Sequence, residues 1–136
     1  MGRFQDLKVW QRGKDLAVWV YQITGQGEFC RDFGLRDQIH RAVVSIPSNI
    51  AEGDELNTNA QAIRHFYIAK GSTAEVLTQG MIAREIGYLS PVQYEHIEQE
   101  CTALSGMLNR LIQARQSSLT PQPSSPSPPI TLNLKP

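Results

Sequence analysis

Hydrophobic residues recur at helical spacing through most of the chain and predict four helices. The predicted helices cover about Asp6 to Thr24, Leu35 to Glu52, Thr58 to Ile86, and Ser90 to residue 115. Glycines that commonly follow a helix C-terminus end the first three, at Gly25, Gly27, Gly53 and Gly87. Residues 28–34 are expected to form a short loop whose Phe29 and Phe33 close one end of the molecule.

The second predicted helix is unusual because residues 38–53 are apolar on nearly every side and include Pro47. An ordinary surface helix has one apolar stripe, so this helix is expected to be buried on several sides. A proline inside a helix removes one backbone hydrogen bond and costs roughly 3 kcal/mol unless the surroundings compensate. The pattern therefore places this helix at the centre of the fold.

Two helix starts have the spacing of a capping box: Thr58 with Gln61, and Ser90 with Gln93. In the last helix, apolar residues alternate at intervals of three and four: Tyr94, Ile97, Cys101, Leu104, Leu108 and Leu111. Such a seam between short connections favours antiparallel neighbours. The predicted fold is all-α, an antiparallel up-and-down four-helix bundle over residues 1–115.

From Gln116 the composition changes to Ser, Pro and Gln. Low hydrophobicity and frequent proline cannot offset the entropy of ordering, so residues 116–136 are expected to form a disordered tail. Its apolar stretch from Ile130 to Leu134 is a candidate to add a strand or to dock on a partner.

Composition indicates a chain of balanced charge. Lys and Arg number 13, as do Asp and Glu, which excludes a simple, strongly basic nucleic-acid binder. Cys30 and Cys101 are too few and too far apart for a disulfide framework or a zinc site, so free thiols are expected. No stretch approaches the ~20 apolar residues of a membrane span, and the amino terminus lacks the apolar run of a signal peptide. We expect a cytoplasmic protein without a membrane partner.

Small residues are frequent in the third predicted helix: Ala69, Gly71, Ser72, Ala74, Gly80 and Ala83. They indicate that another helix, within the bundle or from another subunit, approaches closely here. The alternative is that a long helix tolerates residues of low helix propensity without any such contact. Together with the broadly apolar second helix, they predict a homo-oligomer.

Three charged residues on the inner helices form a predicted structural polar core. Arg41 and Glu52 lie on the second helix, and Glu75 lies on the third. A buried charge needs a partner, so Arg41 is expected to pair with Glu75 or Glu52 and to fix the register of the helices.

Basic side chains on the same two helices are candidates for binding nucleic acid. They are Arg36, His40, Arg41, Arg64 and Lys70. Gathered on one surface, they would contact phosphates. Scattered over solvated helix faces, they would have no such role, and this alternative stays open.

Enzymatic function is not indicated by any residue pattern. The histidines His40, His65 and His96 are dispersed, and no Cys or carboxylate lies at zinc-binding spacing from them. There is no glycine-rich phosphate loop, and Ser45 and Ser72 lack an evident base. We predict no catalytic residue, metal, cofactor or small-molecule substrate.

Three segments together resemble a known family: FQDLKVWQRGKDLAVWVYQIT, GLRDQIHRAVVSIPSNIAEG and FYIAKGSTAEVLTQGMIAREIGYL. Between Phe4 and Leu111 the chain is similar to the 23S rRNA intervening-sequence proteins. The resemblance implies a four-helix bundle that assembles as a homopentamer. A similar bundle is the accessory variability protein of diversity-generating retroelements, which implies a reverse transcriptase and nucleic acid as partners.

The chain departs from the family pattern at several positions. After Gly53, where relatives often have basic residues, it has Asp54, Glu55 and Leu56, and it has His40 where relatives commonly have arginine. Two functions therefore stay open. One is an oligomeric scaffold that binds RNA or DNA, together with a reverse transcriptase, and the other is a protein-interaction ring with no nucleic-acid role.

Overall fold

Helices account for nearly all of the structure, a computed structural model that describes residues 3–56 and 58–119. A 3₁₀ turn at Phe4–Asp6 precedes α1 (Lys8–Ile23), α2 (Gly27–Arg31), α3 (Phe33–Glu55), α4 (Asn59–Glu85) and α5 (Pro91–Leu119). Four of the α-helices are long, and the described residues contain no strand, so the predicted all-α class is confirmed. The tail predicted beyond this region lies outside the described residues.

The α3 helix lies at the centre of the fold because it packs against both α1 and α4, and α4 packs in turn against α5. Its inward-facing side chains are fully buried: Ile39, Val43, Ile46 and Ile50. Burying an aliphatic side chain of this size stabilises the folded state by about 1.5 to 3 kcal/mol. Burial does not extend around the whole helix, since Arg41 and Val44 are exposed.

Pro47 is tolerated inside α3 because α1 packs closely over it. The proline is buried, and the α1 residue that faces it is Gly13. A Cβ atom at Gly13 would lie 3.1 Å from Ile46 Cγ2 and 3.6 Å from Pro47 Cδ. The missing side chain lets the two backbones approach, and the resulting contacts compensate for the hydrogen bond that proline removes.

The prediction that Gly53 ends the second long helix is wrong, because α3 continues to Glu55. Gly53 is buried, and a Cβ atom there would lie 2.7 Å from Phe66 Cε1 and 3.1 Å from the Ala62 carbonyl oxygen. Its role is close packing against α4. Among the described glycines, the left-handed φ typical of a helix stop occurs at Gly87, where α4 does end as predicted, and at Gly27.

Side-chain caps fix the starts of the two last helices. At α5 the full capping box forms: Gln93 N donates to Ser90 Oγ at 3.1 Å, and Ser90 N donates to Gln93 Oε1 at 3.0 Å. At α4, Gln61 N donates to Thr58 Oγ1 at 3.2 Å. Each cap stabilises its helix by about 1 kcal/mol, and both were predicted from the spacing alone.

The expected loop over residues 28–34 is largely helical. It contains α2 and the first turn of α3, which Asp32 caps by accepting a hydrogen bond from Leu35 N at 3.1 Å. Phe29 is buried as expected, whereas Phe33 is 64% exposed and does not close the end of the bundle. At the other end of the chain, α5 continues past the predicted boundary at residue 115 to Leu119.

Small residues on α4 serve close packing at some positions and not at others. A Cβ atom at Gly80 would lie 3.2 Å from Ile97 Cγ2, so this glycine lets α5 approach α4. Ala69 and Ala83 are buried in the same core. Gly71, in contrast, is exposed, and no described residue lies within 4 Å of a Cβ atom at this position, so its lack of a side chain serves no close contact within the described part of the chain.

The contact at Gly53 predicts the cost of adding one methyl group. Gly53→Ala places a carbon against an aromatic ring and a backbone oxygen, so it should destabilise the protein by roughly 1 to 3 kcal/mol. The matched control is Gly34→Ala in the same helix, where the nearest atom to a Cβ is Asp32 Oδ1 at 3.8 Å. The free energy of unfolding of the Gly34→Ala variant should stay the same or rise by up to about 1 kcal/mol. Urea unfolding measures both, and equal midpoints for the two variants would contradict this account.

Candidate interaction surface

A chain of hydrogen bonds links the polar side chains where α3 meets α4. Ser72 Oγ donates to Ser45 Oγ at 2.8 Å, and Asn49 Nδ2 donates to the Ser45 carbonyl oxygen and to Ser45 Oγ, both at 2.9 Å. The remaining amide oxygen, Asn49 Oδ1, lies 2.9 Å from His65 Nδ1, so the histidine must be the donor. Because its members satisfy one another, this network has a structural role.

A polar groove lies beside that network, between α3 and α4, with a volume of about 460 Å³. Its lining residues are Gln38, Arg41, Ala42, Ser45, Ser72, Glu75 and Gln79. Gln79 Oε1 is buried there, and no group in the described part of the chain donates a hydrogen bond to it. A buried acceptor left unpaired costs about 1 to 3 kcal/mol, so a donor supplied from outside the chain would stabilise this site.

The polar core expected from the sequence needs correction. Arg41, Glu52 and Glu75 are all exposed in the single chain. The main neighbours of α3 are α1 and α4, and they leave one side of this helix facing solvent. In residues 3–56 and 58–119, neither Arg41 nor Glu75 has an oppositely charged group within 4.0 Å, and Glu52 lies 3.8 Å from His65 instead. Arg41 and Glu75 do line the same groove.

On the other side of the exposed part of α3 lies an apolar groove, between α1 and α3, of about 420 Å³. Its lining residues are Ala17, Val18, Tyr21, Gln22 and Val44. Three of them are large and half exposed: Val18 at 50%, Tyr21 at 47% and Val44 at 41%. We call the two grooves and the strip of α3 between them, with Arg41 and Val44, the α3 face.

His40 is partly buried and held by contacts with α1. Its ring stacks on Tyr21 with 3.8 Å between ring centroids, and Nε2 lies 2.6 Å from Thr24 Oγ1. The Thr24 hydroxyl donates to the Val20 carbonyl oxygen at 2.7 Å, so the histidine donates from Nε2. Burial, and then the positive charge of Arg36, lower the pKa of His40, which favours the neutral ring.

The five candidate nucleic-acid ligands do not form one basic patch. Arg36 is half-buried: its guanidinium donates to the Cys30 carbonyl oxygen at 2.9 Å and stacks over the Phe33 ring. Arg64 is exposed on α4, about three helical turns before Glu75 and so on the same side of that helix. Lys70 lines a different groove, between α4 and α5.

Sequence reasoning missed the residues that define the α3 face. The pattern of the sequence singles out neither Tyr21 nor Gln79 nor Val44 as a surface residue. One signal was available, because Val18 and Tyr21 extend the apolar residues of α1 beyond the stripe that Val9, Leu16 and Val20 bury.

The described residues offer little for catalysis. They contain no group of three or more His, Cys, Asp or Glu side chains that could hold a metal ion. Burial raises the pKa of Cys101 to about 12, so this thiol is not a nucleophile at neutral pH. Within the same part of the chain, no helix is long and apolar enough to cross a membrane.

The environment of His40 predicts a pH dependence of stability. The pKa of His40 in the folded state lies below the ordinary 6.5. The stability that the neutral ring contributes is therefore fully present above about pH 6.5 and is lost as the pH falls through the folded pKa. In the His40→Gln variant, the loss of unfolding free energy between about pH 8 and about pH 5.5 should be smaller than in the parent protein. Urea unfolding at both pH values tests this, and an identical loss in the two proteins would contradict it.

Comparison with known proteins places the chain in a family. The family model described as 23S rRNA-intervening sequence protein matches residues 5–110. A crystal structure described as a protein with unknown function from the S23 ribosomal protein family, from Bacteroides thetaiotaomicron, has the same fold with a TM-score of 0.72. The two sequences are 24% identical, and the match covers 77% of this chain and 98% of that one. No curated protein matches the chain. Because the family model spans most of its length, the chain belongs to the 23S rRNA-intervening sequence protein family.

Proposed function

We propose that the protein is a non-enzymatic cytoplasmic scaffold that assembles as a homo-oligomer, with five copies in the ring, through the α3 face. The observation that carries the proposal is the buried Gln79 Oε1, to which no described residue donates a hydrogen bond. Arg41 and Glu75 line the same groove and have no oppositely charged partner within residues 3–56 and 58–119. A neighbouring copy supplies what this groove lacks.

Apolar exposure on the α3 face supports the same assembly. Val18, Tyr21 and Val44 surround one groove and are about half exposed in the single chain. Removing apolar surface from water stabilises an interface by about 25 cal/mol per Å² before the costs of association. A face with apolar and complementary charged groups side by side is typical of a specific interface between subunits.

The charges on the face suggest how copies are aligned. Arg41 and Glu75 line one groove and pair with no charged group among the residues that the structure describes, so each is available to pair with the opposite residue of another copy. The register-fixing role first expected inside the chain then belongs to the contact between subunits.

The bundle in this proposal has the predicted antiparallel up-and-down order. Side-chain contacts support it: Ser45 contacts Ser72, and the later α3 residue Asn49 contacts the earlier α4 residue His65. A chain that reverses direction at each short connection places α3 between two neighbouring helices and keeps the third side of α3 open for assembly.

Charge reversal tests the assembly. Arg41→Glu should convert the oligomer to smaller species by placing like charges together, and the double variant Arg41→Glu with Glu75→Arg should restore the oligomer. Light scattering coupled to size exclusion measures the mass. Arg110→Glu, an equal charge reversal at an exposed α5 position, is the control and should leave the mass unchanged. A monomeric parent protein at micromolar concentration, or a double variant no better than Arg41→Glu, would refute this interface.

A second candidate function is the binding of RNA or DNA by the assembly. In the assembly Arg41 lies at the interface, whereas Arg64 and Lys70 have no carboxylate within 4.0 Å in the part of the chain that the structure describes, so these two are available to phosphates. Because every copy would carry these residues, the assembly would have a stronger positive electrostatic potential than one chain. The finer form of this proposal is an accessory role to a reverse transcriptase of a diversity-generating retroelement. It rests on the resemblance of the sequence, and co-purification with such an enzyme tests it.

Salt dependence tests this second function without disturbing the α3 face. Retention of structured RNA or single-stranded DNA near 50 mM salt should fall steeply as salt rises, and Arg64→Gln with Lys70→Gln should weaken it and flatten the slope. Lys14→Gln is the control, because Lys14 already pairs with Asp15 at 2.8 Å. If the parent protein retains neither nucleic acid at low salt, the remaining reading is a ring that binds only proteins.

A further inference from the structure

The groove between α4 and α5 is a second open surface, on the far side of α4 from the polar groove of the α3 face. It has a volume of about 330 Å³. Its lining residues include Ala74 and Leu77 of α4, and Cys101, Thr102, Ser105 and Gly106 of α5. Most of them are small, so the two helices form a shallow channel into which an extended backbone fits closely.

Room and hydrogen-bonding groups are both present in this channel. A Cβ atom at Gly106 would meet only the end of the Arg110 side chain, at 3.7 Å. Within the described residues, the hydroxyl groups of Thr102 and Ser105 make no hydrogen bond to the protein, whereas Thr73 next to them donates to the Ala69 carbonyl oxygen. The apolar floor and the two free hydroxyl groups match an extended segment with alternating apolar side chains.

The chain itself contains such a segment. Ile130, Leu132 and Leu134 alternate with polar residues in the stretch from Ile130 to Leu134, so an extended backbone would present all three on one side. Neither the bundle nor the proposed assembly accounts for this stretch.

The distance along the chain also fits. The last described helix ends at Leu119, and the middle of the channel lies 13 to 18 residues earlier on α5, or about 20 to 27 Å back along that helix. The connecting residues 120–129 are rich in proline, and ten residues of polyproline II conformation span about 31 Å. A chain that turns back after Leu119 therefore reaches the channel with little slack.

We propose that the segment from Ile130 to Leu134 binds in the α4–α5 groove of its own chain, with its apolar side chains on Ala74, Leu77 and Cys101. Thr102 and Ser105 bond to its backbone. The segment thereby covers an apolar groove that the self-assembly proposed for the α3 face leaves open.

Disulfide trapping in the full chain tests this docking. In a background of Cys30→Ser with Cys101→Ala, which removes both native thiols, Thr102→Cys with Leu132→Cys should form an intramolecular disulfide about tenfold faster than Ala114→Cys with Leu132→Cys, because docking raises the effective concentration at the groove. Position 114 is exposed and closer in sequence to the segment, so a tail that does not dock would favour it. Mobility on a non-reducing gel measures the rates.

A variant of the segment completes the test. Ile130→Asp with Leu134→Asp should remove the rate advantage of position 102 while leaving the reaction at position 114 unchanged. Equal rates at the two positions in the parent chain, a disulfide formed only between two chains, or a rate advantage that survives the two aspartates would each overturn the proposal.

Discussion

The close approach of two helices to α3 is the constraint on which the rest of the structure depends. On one side Gly13 of α1 lies over Ile46 and Pro47, and on the other Gly53 of α3 lies under Phe66 of α4. A Cβ atom at Gly53 would overlap the Phe66 ring, and one at Gly13 would press against Ile46, so both neighbours depend on the missing side chain for their close approach. Packing against α1 therefore makes Pro47 tolerable inside α3. The same helix, α3, also fixes the position of α4 through Gly53.

That constraint also determines which side of α3 stays open. With α1 and α4 held close on two sides, the third side presents Arg41 and Val44 to solvent, and the polar network from Ser72 to His65 closes the seam beside it. The network is satisfied within the chain, whereas none of the described residues donates a hydrogen bond to the neighbouring Gln79 oxygen. The polar groups of the network contribute to folding because they bond to one another. The Gln79 oxygen, in contrast, is an acceptor that the folded single chain leaves without a described donor.

The helices and their caps could be predicted from sequence because their causes are local. Ser90 with Gln93 forms the expected box, and Gly87 ends α4 with a left-handed φ. Gly53 could not be interpreted this way, since a glycine that ends a helix and one that admits a neighbouring ring are identical in sequence. Arg41 was misplaced for a related reason: periodicity reports that a helix is broadly apolar but not how many neighbours cover it. The α3 face depends on that number.

The balance of charge connects assembly with any binding to nucleic acid. One chain has zero net charge, His40 is packed as a neutral ring, and Arg64 and Lys70 lie on different sides of α4. Phosphate contacts from such a chain would be few and on different sides of α4, so they would not reinforce one another. A ring changes this, because symmetry repeats each cation at fixed spacing around an axis. Assembly through the α3 face would thus come before nucleic-acid binding, and a chain that failed to assemble would lack both.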